Sequence, residues 1–199
     1  MADNLSVLDA VQNTKTLATD ESSGIHTPKH LPVDSSGRLL LAHPIDYLGI
    51  SMGLYPGYDC VNKFGENPDI DTGTDPEVVW DYGGDYTFSS TADISQVSSS
   101  DNGDTQELTV EGLDTSWEEV VQTVTLTGQA PASLGTNLIR VYRAYNSGAT
   151  DFTGNIYITT TGAALTAGVP DVATTVRAMV NDGNNQTLMC IYTVPAGKT

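Results

Sequence analysis

The sequence predicts an all-β protein, an antiparallel sandwich or jelly-roll-like domain preceded by an extended N-terminal arm. Three observations carry that expectation. Apolar residues recur with a period of two from residue 93 onward, the mark of strands with one buried face. Turn formers such as Asp101-Asn102-Gly103, Thr127-Gly128, Ser147-Gly148 and Asn181-Asp182-Gly183 separate those runs at sandwich-like spacing. The composition holds 19 glycines, abundant Thr, Ser, Asp and Asn, and only 17% charged residues, unlike a helical bundle.

Residues 1–38 read as the arm. Asn13 to Ser36 has no clear period, and Pro28 and Pro32 argue against a regular element. A short helix is predicted over Leu5–Val11, because Leu5, Leu8 and Val11 share one helical face. The arm reads either as a disordered tail or as a segment that orders on a partner.

Residues 39–92 read as irregular and loop-rich with short strands. The run Arg38–Ala42 predicts one strand, and Ile50–Leu54 with Pro56-Gly57 a loop. Asn67-Pro68, Thr72-Gly73, Asp75-Pro76 and Gly83-Gly84 are turn formers. Phe64, Trp80, Tyr82 and Tyr86 run through them, so this loop should be packed rather than mobile, with a short strand at Val78–Trp80.

Residues 93–199 form the predicted antiparallel domain, with 39–199 as one folded unit. Leu108 and Val110 alternate with Thr109 and Glu111. Val120, Val124 and Leu126 oppose Thr123, Thr125 and Thr127. Ile139 and Val141 alternate with Arg140 and Tyr142, and Ile156 and Ile158 with Tyr157 and Thr159. Val172–Val180 is similar. Leu188–Val194 is apolar on both faces, which predicts a strand in mid-sheet or at an interface.

The chain carries 25 acidic and 8 basic side chains, a formal charge of −17. The 15 acids of residues 64–139 face no Lys or Arg in that segment. Such a balance disfavours nucleic acid, which is held through Lys and Arg, and disfavours anionic membrane surfaces. No apolar run approaches the ~18 residues of a transmembrane helix. Met1–Ala10 lacks the cationic region and apolar core of a signal peptide. Cys60 and Cys190 are too few for a disulfide scaffold and read as buried thiols, with a disulfide between them as the alternative.

The sequence nominates no catalytic, cofactor-binding or metal-ligating residue. His26, His30 and His43 all lie in the arm or at its junction, away from the core strands. His26 and His30 are four apart, but Pro28 between them breaks the helix that would align them. The acidic stretch Asn67–Glu77, with Asp69 and Asp71, invites a calcium reading. Its register fails: the sixth position is Thr72 rather than Gly and the twelfth is Val78 rather than Glu. A capped, solvated turn is the better expectation. The ending Ala196-Gly197-Lys198-Thr199 echoes a phosphate-binding loop, but Tyr192 stands where Gly is required and no helix follows.

Six stretches in order carry a family resemblance: VNKFGENPDIDTGT (61–74), VVWDYGGDYTF (78–88), TVEGLDTSWEEVVQTVTLTG (109–128), IRVYRAY (139–145), GNIYI (154–158) and GNNQTLMCIYTVPAGKT (183–199). From about Gly49 onward the chain resembles a family of tailed-bacteriophage virion structural proteins, frequent among marine and environmental phages. That resemblance implies a non-enzymatic particle component located in the virion, without cofactors. Relatives of that pattern continue past the AGKT stretch, where this sequence stops at Thr199. The leading expectation is a capsid decoration or cement protein. It would bind the major capsid protein as a homotrimer and reach along the shell with an arm carrying Lys15, Lys29, Arg38 and Lys63. One alternative is a tail, neck or fibre-base part. Another is a carbohydrate-binding domain for host adsorption, with Trp80, Tyr82, Tyr86 and Trp117 stacking on sugars.

Overall fold

The computed structural model describes residues 4–8, 14–22, 25–28, 47–52, 57–58, 60–70 and 76–198. The chain divides into two compact units, Met1–Val61 and Asn62–Thr199. The join therefore falls later than the composition change near residue 38 suggests.

In the first unit, β1 (Asn4–Leu8), β2 (Thr14–Ser22) and β3 (Ile25–Pro28) form an antiparallel meander in that order. The helix expected over Leu5–Val11 is not there; Leu5 pairs with Leu17 and Val7 with Lys15 in a strand ladder. Leu5 and Val7 fit a period of two as well as a helical face, and Thr-rich β2 supplies the partner that decides between them. Pro28 does not prevent a strand either. It closes β3 opposite Thr19, at the end of an edge strand, where a missing N–H is tolerated. A short α-helix, α1 (Tyr47–Ser51), occupies part of the predicted loop. The predicted strand at 38–42 lies outside the described residues.

The second unit is the antiparallel sandwich that the periodicity predicts. One sheet contains β4 (Ile94–Ser99), β7 (Ala132–Leu138), β9 (Ile156–Thr160) and β12 (Val176–Val180), in the order β12-β9-β4-β7. The other contains β5 (Glu107–Leu113), β6 (Glu119–Thr125) and β8 (Arg140–Asn146), in the order β6-β5-β8. A small hairpin, β10 (Leu165–Thr166) with β11 (Val169–Pro170), completes the strands described.

The core lies between the sheets. Ile94, Val97, Leu138, Ile156, Ile158, Val176 and Val180 from one side meet Leu108, Val110, Val141 and Ala144 from the other. Each fully buried aliphatic side chain of this kind stabilises the fold by roughly 1.5–3 kcal/mol before the entropy of ordering is counted. The outer face of β9 and β12 is covered too: Tyr157, Arg177 and Met179 are buried there. Tyr82, from the loop before β4, packs edge-on against Tyr157 at 6.4 Å.

The two sheets are tied at both edges. At one, Gln122 of β6 donates from Nε2 to the Thr136 carbonyl of β7 and accepts the Thr136 N–H on Oε1, both at 2.9 Å. At the other, the chain leaves β12 in one sheet and crosses to the rim of β8 in the other. There Thr187 donates its N–H to the Ala144 carbonyl (2.8 Å), and its hydroxyl accepts the Ala144 N–H (3.1 Å).

This crossing stretch corrects the expected strand at Leu188–Val194. Met189 and Ile191 are buried and Cys190 is exposed, so the chain is extended, but it joins no single ladder. Thr187 bonds β8, Leu188 bonds the Asp81 side chain, and Cys190 bonds the Val79 carbonyl. The predicted strand at Val78–Trp80 is likewise an isolated contact, made by that Cys190–Val79 bond at 2.9 Å.

Candidate functional site

Three clusters gather the chemically distinctive side chains of the second unit. The first is built by the loop of residues 78–88. Trp80 is 2% exposed and donates from Nε1 to the Gly84 carbonyl at 3.0 Å, which folds the loop back on itself. Tyr82 and Tyr86 pack against it at 5.4 and 4.9 Å, and Phe88 continues the row from Tyr86 at 4.9 Å. Tyr86 donates its hydroxyl to the Arg177 carbonyl (3.0 Å), and burial pushes its phenol up to about 12.

Between Trp80 and Tyr82 sits Asp81, 1% exposed. Its Oδ2 accepts the Leu188 N–H, and its Oδ1 has no partner among the described residues. Burial pushes this carboxyl up to about 7, against the opposing pull of the Leu188 bond; the nearby Glu66 carboxylate raises it further. Glu66 is itself held in place. Its N–H donates to the Leu188 carbonyl at 3.1 Å, and its Oε1 accepts from the side-chain amide of Asn184 at 3.0 Å.

The second cluster is a cation between two rings. The Arg140 guanidinium lies 5.0 Å from the Phe88 centroid and 5.0 Å from that of Trp117. Its Nη1 donates to the Ser89 and Ile139 carbonyls, while its Nε is buried without a partner among the described residues. Phe88 is 54% exposed and Trp117 37%. Trp117 sits at φ 63°, a backbone region that bulky residues rarely adopt. Asp114 holds the turn by accepting the Ser116 and Glu118 N–H groups on Oδ1, and Ala196 donates its N–H to the Trp117 carbonyl.

The third cluster surrounds Lys63. Its ammonium donates to the Tyr142 carbonyl. Burial first, then Arg143, lowers its pKa. Burial pushes Tyr142 up to about 12, with Glu119 and Glu111 adding to it. Tyr142 meets Tyr192 edge-on at 5.2 Å, and Arg143 pairs with Glu111 at 3.4 Å.

These contacts revise several expectations. Trp80 belongs to the core, so it presents no ring to a sugar, and the exposed Trp117 has Arg140 against its face. Lys63 belongs to the second unit rather than to the arm. Cys60 and Cys190 are exposed rather than buried, and both stand as thiols. Asn67 caps its own turn by accepting the Asp69 N–H at 2.9 Å, and its side-chain amide donates to Glu77 and to the Val78 carbonyl. Among the described residues no three His, Cys, Asp or Glu side chains are grouped to hold a metal ion. Asp71, His30, His43, Lys29 and Arg38 lie outside the described residues; the backbones of His26 and Lys15 belong to β3 and β2.

Asp81 and Arg140 are the residues that composition and motif reasoning passed over. A carboxylate set between aromatics in Trp80-Asp81-Tyr82 is a legible signal, since an acid is rarely packed among rings without a task. Neither a protein-family model, nor a curated protein, nor a solved structure matches the chain.

Proposed function

We propose that this chain is a non-enzymatic structural component of a bacteriophage virion, a decoration or cement protein that binds the shell of the major capsid protein as a homotrimer. The resemblance of the ordered stretches from VNKFGENPDIDTGT to TVPAGKT supplies the class. The observation that carries the reading further is how the second unit uses its cations. Residues 62–199 hold 18 acids and five bases, a balance of −13. Lys63, Arg140, Arg143 and Arg177 are all engaged within the unit. The acids are thus left as the dominant surface charge, which suits a subunit displayed to solvent. Contacts with neighbours then fall to exposed apolar groups such as Phe88, Val121 and Val172.

The test is reconstitution. Purified protein is added to particles stripped of it, and the copies bound per particle are counted. Saturation at hundreds of copies supports the decoration reading. Saturation at about six to a few tens, as closed rings on a tail axis give, moves the protein to the tail, neck or fibre base. No binding to any particle part, with capture on a glycan array instead, overturns the structural reading. A variant lacking residues 1–36 addresses the arm: it should load more weakly, and full loading would make that segment a passive tail.

A further inference from the structure

We propose that Asp81 is a proton-controlled latch: in its neutral form it seals the stretch Gln186–Ile191 against the sandwich, and its ionisation releases that stretch.

The geometry has four parts. The carboxyl is withdrawn from water, at 1% exposure. One oxygen, Oδ2, accepts the Leu188 N–H; the other, Oδ1, meets no partner among the described residues. A neutral acid places its proton on Oδ1 and keeps Oδ2 as acceptor. An anion in the same place has, among the described residues, one donor from the docked stretch, Leu188, besides its own backbone N–H, and a buried charge so poorly compensated is strongly disfavoured.

Among the described residues no cation answers it. From the segment before the turn, Lys63 directs its ammonium to the Tyr142 carbonyl, and Glu66 contributes a second negative charge. From its own loop, Tyr86 bonds the Arg177 carbonyl and Tyr82 packs on Tyr157. From the segment after β12, Asn181 and Asn184 turn their amides to Glu66, and Asp182 adds a further carboxylate to that turn.

The stretch gripped by this carboxyl is the part of the sandwich best placed to move on its own. It belongs to neither ladder. It is held by the Thr187–Ala144 pair, the Glu66–Leu188 and Cys190–Val79 bonds, and the burial of Met189 and Ile191. Releasing it uncovers the rim of β8 and leaves both sheets intact. Segments with few ladder bonds open locally at lower cost than core strands.

The linkage has a definite sign. A carboxyl near 7 when docked and in the ordinary range when released favours opening as pH rises, and the effect levels off above about 7. Between pH 5 and 8 the open population of the stretch should rise by about a hundredfold.

The experiment is amide hydrogen exchange on the full chain by NMR, corrected for the intrinsic pH dependence of exchange. Protection of the Leu188 and Cys190 amides should fall about a hundredfold from pH 5 to 8, while the amides of Ile156–Thr160 keep theirs. In Asp81→Asn the fall should vanish. Flat protection at Leu188 and Cys190, an equal loss in β9, or an unchanged fall in the Asn variant would each overturn the latch. Should that variant not fold, the side-chain carboxyl carbon of Asp81 is titrated in the native chain. A midpoint near 7 that coincides with the loss of protection supports the latch, and a midpoint in the ordinary carboxylate range overturns it.

Discussion

Asp104 shows how much of this molecule rests on single buried acids. It is fully buried, and it accepts the Ser99 hydroxyl at 2.6 Å, the Thr153 N–H at 2.8 Å and the Gly154 N–H at 3.0 Å. It thereby joins the turn after β4 to the turn before β9. Removing it strands three donors, so Asp104→Ala should cost about 3–5 kcal/mol in urea unfolding. Asp81 is the opposite case, with one oxygen lacking a partner among the described residues. Its proton is bound more tightly in the folded state than in the unfolded chain. Folding stability should therefore fall as pH rises from about 4 to about 7, by up to about 1.4 kcal/mol per unit, and flatten beyond. Unfolding midpoints at pH 5 and 7 check this, and the Asp81→Asn variant should lose the slope. Arg177 completes the set. It is buried, and its Nε donates to the Ser89 hydroxyl and its Nη1 to the Thr174 and Val176 carbonyls, so its charge is fully committed to structure.

At the scale of elements, β5 depends on a glycine. A Cβ at Gly112 would run into the Arg140 carbonyl of β8, where the register slips between Glu111 and Gly112. Gly112→Ala should destabilise by about 1–3 kcal/mol, with the loss read from the thermal midpoint. The clip between β6 and β7 is weaker because it is exposed; Gln122→Ala should cost about 1 kcal/mol. The strands legible in the sequence are β5, β6, β8, β9 and β12, whose apolar residues alternate over at least part of each strand; the predicted Val172–Val180 run is a strand only over Val176–Val180, because Ala173–Thr175 forms a 3₁₀ turn. β4 was not legible. Its register shifts between Ile94 and Gln96, and buried Ser98 and Ser99 read as polar until their partners, the Gly168 carbonyl and Asp104, are known. β7, with Ser133, Gly135, Thr136 and Asn137, has turn-like composition and is a strand because β4 pairs with it. The stretch past Gln186 misled in the other direction. Its apolar alternation is real, but hydrogen-bond partners on three different segments keep it out of a sheet. The same blindness hid the Asp81 site, since the proximity of Asp81 to Leu188 is made only by folding.

Across the whole molecule, the acid excess of the second unit sets its response to salt. A balance of −13 repels itself at low ionic strength, so its melting temperature should rise from 10 mM to 500 mM salt, where the Debye length drops from ~30 Å to a few ångströms. A melting temperature that stays flat or falls would mean that the Arg143–Glu111 pair and its like outweigh the repulsion. The division after Val61 gives a second check: a fragment of residues 62–199 should fold and show the same near-ultraviolet circular dichroism as the unit in the full chain. The sheet order β12-β9-β4-β7 carries one more consequence, for the time course of folding. The central strand β4 finds β9 only after four other strands have intervened. A growing chain can close the β5–β6 hairpin early, but Ile94 and Val97 must wait uncovered for residues far downstream. Such distant pairing places folding in the range of ~milliseconds to seconds. Until β9 and β12 have emerged, the nascent protein carries an unfinished sheet edge, which makes that interval the moment of greatest exposure to aggregation.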